Sequence, residues 1–480
     1  MLEIADTELK TYPFDHHGLI AAVCKDLRIA QRIDNLLPVH ADRVVSPGRT
    51  VVALILNGLG FTNRRLYLTP QFFASKPVER LLDAPIQARD LNDHTLGHAL
   101  DDLSAYGVSR LFGTVAFGIA LEHQLLGGLA HLDTTSISVS GEYEHSPGED
   151  VEPAVIQLTY GHSKDKRPDL KQAVLSLVAN GPSQMPIWMD ALDGNSSDKK
   201  SFHETIRKVR AFQRQFNLTA DFKWVADAAL YSSGGLLAAN DYLWLTRVPE
   251  TITESKAWLS QEDTAIAWQT GDNGYKYAET LSVHGNVPQR WLMVYSEQAC
   301  AREKQTLEKN LAKQEAQLKK DIGRFASHVF RCEKDAEGYP GSRMLAEYKA
   351  QQGVERGFRF LKDPWFMVDS VFLKSPRRIE ALMMGMTLCL LVYNVAQYQL
   401  RDKLKTTGET LPNQLDKEVQ NPTLRWIFQI MEGLGIARIE VGTESPAREM
   451  VTNMTPLRRK IDLIPWSSDY SGLTPAACTG

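Results

Sequence analysis

Cysteine is scarce in this chain and unpatterned. There are five, Cys24, Cys300, Cys332, Cys389 and Cys478, with no CxxC pair among them. An odd, scattered set excludes a disulfide framework and a cysteine zinc site, and points to a reducing, cytoplasmic compartment. Charge of one sign is not in excess either: 54 Lys and Arg face 58 Asp and Glu, a net charge of −4. The whole-chain balance therefore neither announces nor excludes a polyanionic partner. The opening, MLEIADTELKTYPFDHHGLI, lacks a basic stretch followed by an apolar one, so no signal peptide is expected. Long hydrophobic runs are missing as well. The longest, Ala381 to Ala396, has about sixteen residues and contains Thr387 and Asn394, short of the roughly 20 needed to span a bilayer. It reads as a buried helix, and no membrane partner is expected. No repeat at a period of roughly 20–50 residues recurs.

What is present is the composition of a folded globular protein: 43% hydrophobic residues, 23% charged, 32 Gly and 22 Pro in 480 residues. That length suits two to four domains of roughly 100–200 residues each and leaves room for an enzyme-sized cleft. Residues 1–120 have a helical texture, with turn signals at Ser46-Pro47-Gly48 and Asn57-Gly58. Within them a short helix near Val78–Leu82 and a second, capped by Asn92 or Asp93 and carrying Leu96, Leu100 and Leu103, are compatible with helix-turn-helix geometry, and equally with any helical domain. The adjacent His16-His17 has no partner at ligand spacing and reads as a surface pair.

From about Gly127 the texture turns to strands: HLDTTSISVSGEY, VIQLTYG and QAVLSLVAN suggest a meander. The loop GHSKDKRPDLKQ between them gathers Lys164, Lys166, Arg167 and Lys171, either a solvated loop or a phosphate contact. A helix over about Lys200 to Phe216, then strands at FKWVADAAL and DYLWLTRVP, indicate an α/β core. Residues 250–300 look β-rich, and residues 301–325 carry Leu307, Leu311, Leu318, Ile322 and Phe325 at helical spacing. Two helices are expected from Leu345 to about Leu400, then a linker-like stretch, a small helix and a strand.

The informative carboxylates are those on apolar strands, because a desolvated acid costs several kcal/mol unless it is paired or binds a metal. Asp133 follows Ala130, His131 and Leu132; Asp227 follows Trp224, Val225 and Ala226. Asp190, Asp193, Asp198 and Asp241 read instead as turn and cap residues. A third acid, Glu355, lies in AEYKAQQGVERGFRFLKDP with Tyr348 seven residues before and Lys362 seven after. On one continuous helix, seven residues are two turns, so Tyr348, Gln351, Glu355 and Lys362 line one side. An ordinary solvated helix face with an i,i+4 pair has the same spacing.

Taken together, Asp133, Asp227 and Glu355, the last inside Tyr-(2)-X-(3)-Glu-(6)-Lys, resemble the catalytic acids and the Tyr-Arg-Glu-Lys signature of the DDE transposases of bacterial insertion sequences. The contexts HLDTTS, VADAALYS and VERGFRFLK are also similar to that family. The resemblance covers roughly residues 125–400. It departs at Gln351, where the signature has Arg: a guanidinium grips phosphate bidentately and an amide does not.

The resemblance implies a mixed α/β (α+β) fold: an RNase H-like catalytic core over 125–400 with an insertion at about 250–345, between the second and third acids. A helical N-terminal DNA-binding domain over 1–120 and a C-terminal extension over 401–480 complete it. It implies two Mg²⁺ ions, replaceable by Mn²⁺, held by Asp133, Asp227 and Glu355, since paired divalent ions need hard oxygen ligands. Tyr348 and Lys362 become DNA contacts, with Arg356 or Arg359 supplying the charge that Gln351 lacks. Double-stranded DNA, as element ends and as target, is the implied partner, with a homodimer on DNA and localisation at the nucleoid. The same three acids also suit a metal-dependent nuclease that cuts without joining. A catalytically inactive, domesticated DNA-binding protein is a further reading. A glycoside hydrolase fits less well, because no aromatic platform accompanies Asp133 or Asp227.

Overall fold

The computed structural model describes the chain apart from residues 1–6, 39–41, 62–67, 141–142, 144–154, 165–166, 217–220, 232–241, 250, 272–273, 299, 303–339, 363–372, 374, 442–447 and 463–480. Within the expected helical N-terminal region the first element is a strand, β1 (Thr7–Pro13). Its antiparallel partner is the distant strand Gly435–Val441, in a register that sets Leu9 against Ile439. No local pattern can report such a pairing. Helices α1 (His17–Asp26), α2 (Ile29–Asp34), α3 (Pro47–Gly58), α4 (Thr69–Phe73), α5 (Val78–Leu82), α6 (Asp93–Tyr106) and α7 (Val108–Glu122) follow.

Caps explain where several of these helices start. The Ser46 hydroxyl accepts from the Arg49 N–H with Pro47 in the first turn of α3, and the Asn92 side chain accepts from the N–H groups of His94 and Thr95 at the start of α6. Leu96, Leu100 and Leu103 are buried along one face of α6, as their spacing predicts. Between α5 and α6 lie residues 83–92 with a 3₁₀ turn at Ala88–Asp90, not the three- or four-residue turn of a helix-turn-helix. Gly48 lets α3 approach α2 closely: a Cβ there would sit 2.1 Å from the Ala30 carbonyl oxygen.

His16 and His17 are buried, not a surface pair. The His16 ring stacks on Phe428 at 4.2 Å between centroids, and its Nε2 lies 2.9 Å from the Leu59 carbonyl oxygen. Burial pushes its pKa from the ordinary 6.5 down to about 4. The unfolded chain therefore takes up this proton first, and the associated stability, present above pH 6.5, is lost as the pH falls from 6.5 towards 4. The loss should reach roughly 3 kcal/mol at the acid end. In urea titrations across that window, His16→Gln should flatten the decline; parallel curves for the two proteins would show that His16 does not carry it.

Next come β2 (Leu129–Val139), β3 (Lys171–Asn180), β4 (Met185–Leu192), α8 (Asp198–Gln215), β5 (Lys223–Ala226) and β6 (Trp244–Thr246). The strand order is β4-β3-β2-β5-β6, with β2 in the centre. β3 and β4 are antiparallel, whereas β5 is parallel to β2 and β6 parallel to β5. This is the mixed α/β arrangement expected of an RNase H-like core. The strand expected over VIQLTYG shrinks to one bridge, Thr159 to Gln172. Phe202, Ile206, Val209 and Phe212 are buried at helical spacing along α8.

Helix α9 (Thr253–Leu259) precedes β7 (Gln269–Thr270) and the hairpin of β8 (Tyr275–His284) and β9 (Val287–Ser296). Gly285 and Asn286 turn that hairpin with φ of 58° and 60°, the left-handed pair a two-residue turn requires. The helix expected over 301–325 lies, but for its first two residues, outside the described residues. Helices α10 (Gly341–Lys349), α11 (Gln352–Leu361) and α12 (Pro376–Thr407) follow. The stretch after Lys403 contains the small pair β10 (Leu411–Pro412) and β11 (Glu418–Val419), then α13 (Leu424–Met431), β12 (Gly435–Val441), β13 (Arg448–Thr452) and α14 (Pro456–Asp462).

Two compact units emerge, residues 1–126, 135–195 and 356–480 in one, residues 127–134 and 196–355 in the other. In the first, α12 packs against α3, α6, α7 and β4. It is long and apolar enough to cross a membrane, but 83% of its apolar window is buried inside the protein, the buried helix its sequence suggests. In the second, Val225, Leu245, Tyr277, Leu292 and Met344 form the core, with Leu129, Leu345 and Tyr348 packed against it. Asp133, Asp227, Tyr348 and Glu355 all fall in this second unit.

Candidate active site

The parallel pairing of β2 and β5 sets Leu129 against Lys223 and His131 against Val225. Two residues further along each strand stand Asp133 and Asp227. Side chains alternate along a strand, so Asp133, inside β2, and Asp227, just past the end of β5, share a face of the sheet. Backbone donors anchor both. Asp133 Oδ1 accepts from the Thr134 N–H at 2.7 Å. Asp227 caps the 3₁₀ turn Ala228–Leu230, with Oδ1 accepting from the Ala229 N–H at 2.8 Å. The Thr246 hydroxyl donates to the Asp227 carbonyl oxygen. The Thr134 hydroxyl donates to Asp198 Oδ1 at 2.6 Å, a partner that fixes the start of α8 to β2 beside Asp133.

Tyr348 and Glu355 come from two helices, not one. At the joint, beside one long i→i+4 bond from the Glu355 N–H to Gln351, three bonds are of the i→i+3 type: Gln351 N–H to Tyr348, Gly353 N–H to Ala350 and Val354 N–H to Gln351. These tighten the chain and break the α-helical register. The stripe expected from Tyr348 through Gln351 and Glu355 to Lys362 is therefore interrupted. Gln351 is turned inward, 6% exposed, and its Oε1 has no hydrogen-bond partner among the described residues. It is not placed to meet a phosphate. Glu355 is exposed in the first turn of α11, a favourable end of the helix dipole for an acid. Arg356 and Arg359 are exposed on α11, and Lys362 follows its last residue, half-buried.

Tyr348 reports what gathers around it. Burial pushes its phenol up to about 12, with Asp227, Glu355 and Asp133 each adding to the rise and Arg247 opposing it. Three acids separated by more than 200 positions thus act on one phenol. Arg247 is the residue that sequence reasoning missed. The signal was present in DYLWLTRVP, a cation at the end of an apolar strand, but only the register of β5 and β6 shows which acid it stands beside.

The competing carboxylates have other surroundings. Asp190 is not a turn residue: it lies within β4, 3% exposed, and accepts from the Ser109 hydroxyl at 2.8 Å. Burial and the neighbouring Asp190 raise Glu380 to about 7. Asp193 accepts from the Gln157 N–H at 2.7 Å, as a turn residue does. In the basic loop, Arg167 pairs with Asp169 on the surface. Asp241 lies outside the described residues. Among the described residues no three His, Cys, Asp or Glu side chains converge into a ready-made metal cage.

Comparison with known proteins identifies the family. The family model of the transposase DDE domain matches residues 130–392, a span that begins just before Asp133 and includes Asp227 and Glu355. A second model, a domain of unknown function (DUF4277), matches residues 9–117. Among solved structures, the piggyBac transposase in a synaptic complex with hairpin DNA aligns over 87% of this chain and 80% of its own, at 9% identity and a TM-score of 0.41, a likeness too low to carry argument. No curated protein matches significantly. On the strength of a family model that covers more than half of its residues, this chain belongs to the transposase DDE domain family.

Proposed function

We propose that this protein cuts DNA at the ends of an insertion sequence and joins the freed 3′-hydroxyls to target DNA, with Asp133, Asp227 and Glu355 as its catalytic acids. The observation that supports the reading is the register of β2 and β5, which brings Asp133 and Asp227 to one face, with Glu355 a further acid that acts on the same Tyr348 phenol. The residues fit a divalent ion by their donor chemistry: hard carboxylate oxygens, two of them held by backbone N–H groups on neighbouring strands. Mg²⁺ retains several waters and needs only a few carboxylates, so a closed protein cage is not required. Two Mg²⁺ ions held by Asp133, Asp227 and Glu355 would activate the attacking oxygen and stabilise the leaving one, and Mn²⁺ would replace them.

The chain's own groups have separable tasks. Asp133 and Asp227 are held by backbone N–H donors on neighbouring strands, and Glu355 is presented from α11. Tyr348, with its raised pKa, stays protonated and can donate to a phosphate oxygen. Arg356, Arg359 and Lys362 are further DNA contacts, where each neutralised phosphate strengthens binding and its salt dependence. Residues 1–120 form the DNA-binding domain that reads the element ends, 250–345 the insertion of the 125–400 catalytic domain, and 401–480 the extension. Two ends must be held together, which calls for a homodimer on duplex DNA at the bacterial nucleoid.

Removing only the phenol hydroxyl, Tyr348→Phe keeps the packing against the second unit's core. It should slow single-turnover cleavage about 10-fold, the loss of one hydrogen bond to a charged group, with the unfolding midpoint unchanged. An equal rate would take Tyr348 out of the site. The proposed function itself is tested with labelled duplexes bearing the flanking terminal repeats or scrambled repeats, in Mg²⁺. Cutting at the repeat ends followed by joining supports it; cutting without joining makes the protein a nuclease of this fold, and binding without cutting a domesticated DNA-binding protein.

A further inference from the structure

Arg247 directly follows β6 and is half-buried. The parallel register pairs Val225 with Leu245 and Ala226 with Thr246, so one further step sets Arg247 beside Asp227. Two steps beyond His131 and Val225 set Asp133 on the other side of Asp227. Residues in register on parallel strands point the same way. Asp133, inside β2, Asp227, just past β5, and Arg247, just past β6, therefore form a row across one face of three neighbouring strands, with Tyr348 close enough to feel all three charges. Meanwhile the position where the family signature carries an arginine holds Gln351, a neutral amide turned into the joint between α10 and α11.

We propose that Arg247 and Tyr348 form a phosphodiester-binding subsite of this active site, with Arg247 taking over the guanidinium contact that the signature assigns to position 351. The inference rests on the transposition reading given above. Arg247 donates two parallel N–H bonds to the non-bridging oxygens of a DNA phosphate, and the Tyr348 phenol adds a third donor. No bond is made or broken by either residue. Their work is to hold the phosphate over the row of carboxylates, where a fixed, partly buried cation offsets the charge of three acids and a phosphodiester.

The test compares the full-length wild type with Arg247→Gln and Arg247→Lys in two measurements. One is binding of a terminal-repeat duplex across a salt series without divalent ions. The other is single-turnover cleavage with Mn²⁺. Arg247→Gln should lower the slope of log K against log salt by about 0.9, the loss of one phosphate contact, and slow cleavage about 100-fold. Arg247→Lys should keep the slope and slow cleavage about 10-fold, since charge survives and the fork does not. A merely structural arginine would leave the slope alone. If Arg247→Gln fails to fold, the Lys variant still decides: a wild-type rate overturns the subsite. If the wild type cuts and joins while Arg247→Gln matches it in slope and rate, the subsite is wrong and the transposition reading stands. If the wild type neither binds nor cuts the duplex, the transposition reading fails and takes the subsite with it.

Discussion

Asp133→Asn is expected to lower cleavage and joining by about 10³-fold, some 4 kcal/mol of transition-state stabilisation, while duplex binding stays near wild type. The substitution keeps the shape and the Oδ1 acceptor that takes the Thr134 N–H, so the strand should survive it. What it removes is one negative charge on the face that Asp133 shares with Asp227. Asp227→Asn and Glu355→Gln should behave alike, and the double variants should be little worse than the single ones, because residues that act as a unit lose their effect together. Full activity in any one of the three would show that residue to be structural. The binding control matters: an acid that served only to fold the site would lose binding and cleavage in step.

Trp224→Ala is expected to destabilise the protein by about 3–5 kcal/mol, the cost of deleting a fully buried aromatic ring. Trp224 is 0% exposed. Its neighbours in register are Ala130 of β2 and Trp244 of β6, and the Phe222 ring lies edge-on at 6.2 Å between centroids. Because Asp227 directly follows β5, loosening this strand should also misplace a proposed catalytic acid, so activity should fall further than binding. Trp224→Phe sharpens the prediction. The indole N–H of Trp224 is buried and has no hydrogen-bond partner among the described residues, so Phe gives up volume but also removes a desolvated donor. It should cost about 1–2 kcal/mol, well under the alanine variant. Equal losses for Phe and Ala in denaturant titration would mean that ring volume is not what holds β5 in place.

What the sequence made legible is what local chemistry controls. The helix Val78–Leu82, the Asn92 cap, α8, β5 and the acids at the strand ends each follow from caps, apolar spacing or strand composition within a few residues. The buried character of α12 also followed from its length and its two polar residues. Elements decided by distant partners were not legible. β1 exists because of β12, and His16 is buried because Phe428 covers it. VIQLTYG alternates as a strand should, yet among the described residues only Thr159 forms a β-bridge.

At the active site the division is the same. Asp133, Asp227 and Glu355 could be picked out one at a time, since each is an acid in a recognisable local setting. That all three act on the Tyr348 phenol depends on strand register and helix packing that no spacing encodes. The break at Gln351 was hidden because seven-residue spacing looks identical on one helix or across a joint; three i→i+3 bonds, not composition, reveal it. Arg247 was overlooked for a related reason: a cation after a strand is ordinary until the register places it next to an acid.

The measurement that bears most directly on the account is strand transfer from a pre-cut end. A duplex with the terminal repeat and a free 3′-hydroxyl, incubated with the protein, Mg²⁺ and supercoiled plasmid, should yield joined products whose formation disappears in Asp133→Asn, Asp227→Asn and Glu355→Gln. Joined products that persist undiminished in all three variants, or wild-type protein that holds the duplex yet never joins it, would contradict an active site built from these three acids for transposition.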